Sequence, residues 1–168
     1  MTSIVTAQIA KHIRELFNGG SWTGSNMRSV LTGITWEQAI SRPHSFNSIA
    51  VLVFHTNYYL GALIRVLEGG KLEAHDKYSF DLPPIGSQKD WEELVNKTFR
   101  EAELIAGLIE NLPDEKLWDI VEQQKYGIFY RNLHGLIEHT YYHLGQMALI
   151  KKLVTENSIV SETVKKRS

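Results

Sequence analysis

The stretch His139-Thr-Tyr-Tyr-His143-Leu-Gly-Gln146 sits inside a segment of helical periodicity that runs from about Arg131 to Val154. At 3.6 residues per turn, side chains four apart stand about 40° apart around a helix axis, so His139 and His143 can grip one metal ion. Within about 60° of His143 on the same projection lie Leu136, Thr140, Met147 and Ile150, and both rings therefore face a core. A His-x-x-x-His pair alone is more readily explained by boundary packing, because histidine is of intermediate burial. Inward-facing imidazoles need polar partners, however. A metal takes a lone pair from each ring and leaves the other nitrogen free to donate outward. A core hydrogen-bond network is the alternative.

Working outward, three more segments carry a helical pattern and no alternating run competes with them. The first spans about Ile4 to Phe17, with Val5, Ile9, Ile13, Leu16 and Phe17 as its apolar stripe before Asn18-Gly19-Gly20. The second starts after Pro43 with Asn47 or Ser48 as N-cap and continues to Glu68 before Gly69-Gly70. The third takes Ser87 as N-cap and aligns Trp91, Leu94 or Val95, Thr98, Ala102, Ile105, Ile109 and Leu112. Short helical pieces are expected near Trp36 to Ile40 and around Asp114 to Val121, followed by a turn at Gly127. The long connection from Gly69 to Gly86, with Pro83-Pro84, can cross the molecule and make the second and third helices parallel. These patterns predict an all-α fold, a four-helix bundle with long crossover connections, built as a single domain over residues 1–168 with a flexible tail of about ten residues.

Two imidazoles rarely hold a divalent ion alone, and a catalytic site usually has three protein ligands with water in the open position. His55 is the candidate third ligand, since Val51, Leu52, Tyr59, Ala62 and Val66 share its side of the second helix. His134 is rotated about 140° from His139 and should point elsewhere. His44 and His75 fall in loops, and His12 lies beside the first apolar stripe. Gln146 can reach the rim of the site or hydrogen-bond a ligand, with helix packing as the equal alternative. Tyr59 is a better cavity candidate than Tyr58, though aromatic packing explains it more readily. Trp22 and Trp36 lie in a connection that could cover a site mouth.

Composition narrows the chemistry. The 168 residues carry a formal net charge of -1 and no cysteine, which removes disulfides, thiolate ligands and a cysteine nucleophile. No basic stripe predicts binding to nucleic acid. The N-terminal stretch shows no leader pattern and no apolar run is expected to reach the ~20 residues of a membrane span, so the sequence predicts a cytoplasmic protein without a membrane anchor. Asn96-Lys-Thr98 matches a glycosylation sequon by chance. No His-Glu-x-x-His motif, phosphate loop, dinucleotide fingerprint or activated serine is present.

Three features together, Asn47-Ser-Ile-Ala-Val-Leu-Val-Phe-His55, the Leu67-Glu-Gly-Gly70 helix end and His139-x-x-x-His143-x-Gly-Gln146, resemble the DinB/YfiT superfamily of metal-binding four-helix bundles. The resemblance covers nearly the whole chain, and it carries that family's three metal ligands onto His55, His139 and His143. It implies a divalent-metal-dependent enzyme acting on a small-molecule substrate, with transfer of an external low-molecular-weight thiol to an electrophile as the first specific reaction. It also implies a homodimer. Zinc or nickel suits three imidazoles. The alternatives are a metal-dependent hydrolase, or a non-catalytic bundle, with or without metal, that works through dimerisation or a partner.

Overall fold

A computed structural model describes residues 4–165 of the chain, with side chains described through residue 156. It is all-α: α1 (Ile4–Asn18), α2 (Met27–Leu31), α3 (Trp36–Ile40), α4 (Ile49–Leu67), α5 (Gln88–Glu110) and α6 (Phe129–Lys165), with short 3-10 turns at Asp76–Tyr78, Asp114–Trp118 and Gln124–Tyr126. Among the described residues the sole β feature is a single bridge between Ile120 and Ile128.

Local chemistry sets the helix ends. Ser48 Oγ accepts from Val51 N and Ser87 Oγ from Asp90 N, each satisfying one of the donors left open at a helix start. Thr35 and Gln38 form a reciprocal capping box on α3. The start of α1 is capped from a distance: the Asp114 carboxylate accepts from the amides of Ile4, Val5 and Thr6 at 2.9, 3.1 and 2.9 Å. A carboxylate also complements the positive end of the helix dipole. At the end of α4, a Cβ on Gly70 would lie 2.9 Å from the Arg65 carbonyl oxygen, so only glycine lets the chain turn back there.

Named contacts give the directions of the long helices. Thr6 bonds to Leu112 and Asp114, while Arg14 bridges Glu103 and Glu110 and Phe17 meets Phe99, so α1 and α5 are antiparallel. Phe54 shares a cleft with Leu94 and Lys97, and Gly61, further along, faces Glu101. Hence α4 and α5 run the same way, and the connection between them travels back along the molecule. Leu52 lines a cleft with Ile150, and Leu63 lines another with Leu136, which sets α6 antiparallel to α4.

The core is Ile9, Ile13, Leu16 and Phe17 of α1, most of α4, Ile105 and Ile109 of α5, and Leu133, Leu144 and Met147 of α6. Val5, expected in the stripe, is instead 38% exposed, because the first turn of α1 lies at the end of the molecule over Asp114. The helix α2 was not anticipated; its start is fixed by Asn26, whose side chain accepts from Ser29 N. The helix α6 extends past the expected end at Val154 to Lys165. The expected flexible tail falls on residues 166–168, which lie outside the described residues, and on the last turns of α6, whose side chains are outside them too. One expectation needs correcting: Ile49–Leu67 is long and apolar enough to cross a membrane, by length and composition. Burial accounts for this, since 67% of that apolar window is enclosed by the other helices.

Candidate metal centre

The helix α4 is enclosed on most sides, and it carries His55 into the interior at 5% exposure. Antiparallel α6 brings His139 and His143 against it. The Nε2 atom of His139 lies 3.0 Å from Nε2 of His55 and 3.0 Å from Nε2 of His143. The ligand atoms of the three residues all lie within 4.8 Å of one another, a grouping that could hold a metal ion. Bonds of ~2.0–2.1 Å place two nitrogens on one ion about 3 Å apart when the bonds meet near a right angle, and at most ~4.2 Å apart. The two spacings of 3.0 Å made by His139 fit, and the ligand atoms of His55 and His143 lie within 4.8 Å of each other.

Hydrogen bonds on the far sides of the rings fix which nitrogens hold lone pairs. Ser79 Oγ donates to the Asp76 carbonyl at 2.7 Å, so its oxygen can only accept from His55 Nδ1, 3.0 Å away. His55 thus carries its proton on Nδ1. Gln146 Oε1 lies 2.7 Å from His143 Nδ1, and an amide oxygen can only accept. His143 is protonated on Nδ1 as well. Two bare Nε2 lone pairs therefore converge on the third ring, and a single proton on His139 Nε2 cannot serve both well. One ion would satisfy all three.

The electrostatics keep the rings neutral. Burial, then the neighbouring His143 and His55 rings, push the His139 pKa down to about 4. Burial followed by His143 lowers His55, and burial lowers His143 against the opposing bond from Gln146. Neutral imidazole is the form that ligates a metal.

Aromatic rings wall the cluster. Phe80 stacks on His55 with centroids 3.9 Å apart and planes 17° from parallel, and Tyr59 meets His55 and His139 edge-on at 5.2 and 5.0 Å. Tyr59 Oη donates to Asp76 Oδ1 at 2.6 Å. Burial and this bond raise the Tyr59 pKa, so the phenol keeps its proton. Tyr58 holds the same connection by bonding to both backbone groups of His75.

One member of the cluster, His139, lines a cleft of about 490 Å3 together with Tyr59 and Asp76, while His55 and His143 lie behind it. Among the described residues no fourth histidine or carboxylate joins the grouping. A cleft that reaches one of the three candidate ligands gives a small molecule a path to the edge of the cluster.

The structure thus brings His55, His139 and His143 together and puts Gln146 on a ligand and Tyr59 on the cavity wall. His134 packs on Tyr130 at 4.4 Å and shares a separate cleft with His12, away from the cluster. His44 and His75 are also apart from it. Trp22 does not cover the site mouth; it is fully exposed beside the His12 cleft. The covering role falls to the α4–α5 connection, and its residues Asp76, Ser79 and Phe80 are the ones sequence reasoning missed. The one hint was the pair of aromatic residues, Tyr78 and Phe80, in the middle of that connection.

Comparison with family models, curated proteins and solved structures finds no match for the chain.

Proposed function

We propose that this chain is a divalent-metal-dependent enzyme for a small-molecule substrate, with the ion held by His55, His139 and His143 in a four-helix bundle of the DinB/YfiT kind. The carrying observation is the pair of Nε2 lone pairs, fixed by Ser79 and Gln146, that point at a third imidazole beside an open cleft. Support for the bundle comes from the parallel α4 and α5 joined by a long return connection, and support for the family from the sequence resemblance.

When bound, a divalent ion supplies Lewis acidity that lowers the pKa of a coordinated water or thiol toward neutrality. The chain's own residues do the rest. The three imidazoles, held neutral by burial, keep one face of the site free. Ser79 and Gln146 hold two of the rings in the ligating tautomer and orientation. Phe80 and Tyr59 keep bulk water off two sides. The Asp76 carboxylate, oriented by Tyr59, stands at the cleft wall as a proton acceptor. With no cysteine in the chain, a thiol nucleophile would come from outside. Thiol transfer to an electrophile is the first reaction proposed, and hydrolysis the second. A cytoplasmic homodimer belongs to the same reading.

The test starts with untagged protein, its metal content measured after exposure to zinc or nickel. Loaded protein is then assayed with bacillithiol, mycothiol, glutathione and a water-only control against a small electrophile. Metal-dependent acceleration that disappears in His143→Ala, with the helical circular dichroism retained, is the expected result. Rates equal to those of metal-free protein with every thiol would remove thiol transfer, and failure to retain metal would remove the metal centre itself.

A further inference from the structure

The cleft beside His139 has chemically distinct ends. At one end stand His139, Tyr59 and Asp76; Ala62, Leu63, Leu72 and Leu136 give it apolar walls; and Arg131 and Lys125 stand at the other end. Arg131 precedes His139 by eight residues on α6, which is about 12 Å along a helix axis. The volume of about 490 Å3 is that of a small-molecule pocket.

The cationic end lacks acidic partners. Among the described residues neither Arg131 nor Lys125 makes an ion pair, and the Lys125 ammonium lies 4.7 Å from the centre of the Tyr126 ring. The nearby Glu122 carboxylate is bonded to Leu72 N, and the Asp76 carboxylate to Tyr59 at the opposite end. Arg131 is also seated by the backbone. Gly127 has φ +74°, and a Cβ there would lie 3.5 Å from Arg131 Cδ and 3.9 Å from Nη1. Those are ordinary van der Waals distances, so the positive φ is what calls for glycine, and the Arg131 side chain lies beside the turn that carries Lys125.

We propose that this cleft binds a small organic anion, its carboxylate on Arg131 and Lys125, its apolar body along Leu63 and Leu136, and its reacting end beside His139. The assignment rests on the proposed metal centre for the reacting end only. A guanidinium fork matches a carboxylate in geometry as well as charge, and the apolar walls select against a small hydrophilic anion such as inorganic phosphate.

The test has two arms. In the first, metal-free protein is titrated with hexanoate and with 1-hexanol, followed by amide shifts of Gly135 and His139 in NMR spectra. Hexanoate should bind about fivefold more tightly, the size of a charge-assisted bond weakened by solvent exposure. Arg131→Gln combined with Lys125→Gln should bring hexanoate to the affinity of hexanol, and Arg131→Lys alone should keep part of the preference. In the second, cobalt-loaded protein is titrated with 6-mercaptohexanoate and 6-mercaptohexan-1-ol, read by thiolate-to-cobalt absorption, with the same preference and the same loss expected. Equal affinities for acid and alcohol in the native chain would overturn the proposal, as would a preference that survives the double substitution in a folded variant. Failure of the protein to take up cobalt would count against the metal centre alone, because the metal-free arm still decides the anion cleft.

Discussion

Replacing Ser79 by alanine tests the tautomer argument directly. The Ser79 side chain is fully buried, and its one oxygen links His55 Nδ1 to the Asp76 carbonyl. The substitution leaves the His55 N–H without an acceptor at a site of 5% exposure. A buried donor left unpaired costs about 1–3 kcal/mol. The ring can escape by moving its proton to Nε2, but that removes the lone pair required for ligation. In metal-free protein the escape is cheap, because the new Nε2–H can donate to His139 Nε2. The stability loss in urea should therefore sit near 1 kcal/mol, the low end of that range. In loaded protein the escape is closed, and affinity should fall about 10- to 100-fold, the usual effect of losing the partner of a ligating histidine. The assays are chelator competition for the metal and urea unfolding of the metal-free form, with the His55 tautomer read from its 15N shifts. Metal affinity unchanged within about threefold would refute the reasoning, since that is well inside the smallest loss expected.

Alanine at His139 or His143 should strip metal from the protein while His134→Ala retains it, by metal analysis after dialysis; equal loss in all three would contradict the observed ring positions. The metal-free protein should lose stability as pH falls from 6.5 toward about 4, because His139 stays neutral when folded over a range in which the unfolded chain takes up a proton. Above 6.5 this group makes stability neither rise nor fall, and a urea midpoint that is flat from pH 7 to 4.5 would contradict it. Asp114→Asn should lower the melting temperature and fray the start of α1. The Asp114 pKa is held below 3.8 chiefly by the Thr6 amide, so its contribution is present above 3.8 and fades as pH falls through the lowered value. Hydrogen exchange at Ile4 to Thr6 would reveal the fraying, and unchanged exchange would argue against the cap.

The long helices could be read in advance because their burial repeats with the helical period: Ile9, Ile13 and Leu16 face inward on α1, as do Thr98, Ala102, Ile105 and Ile109 on α5. The same periodicity carried the three histidines, which share their helix faces with Val51 and Leu52 on α4 and with Leu136, Met147 and Ile150 on α6. The residues Asp76, Ser79 and Phe80 have no such signature. They reach the site because the return path of the α4–α5 connection lays a 3-10 turn over His55, and a path through space leaves no period in a sequence. The helix α2, with five residues, is too short to establish a repeat, and its Asn26 cap lacks the reciprocal partner that Gln38 gives Thr35 at the start of the equally short α3. Trp22 shows the converse. A large apolar side chain suggested a lid, yet the turn that holds it lies toward the His12 side of the molecule.

The donors that meet at the cluster are 84 residues apart in the chain. An ion held by all three would therefore act as a clasp between the second long helix and the last, available to the folded chain and lost from the unfolded one. Folding and metal supply then become one equilibrium: beyond the dissociation constant, each tenfold rise in free metal adds about 1.4 kcal/mol to the folded state. The melting curve becomes a gauge of the surrounding metal concentration. The clasp would also slow the separation of α4 from α6 more than that of α1 from α5, which share no ligand, so metal scarcity would loosen the molecule first at the seam where the three histidines meet.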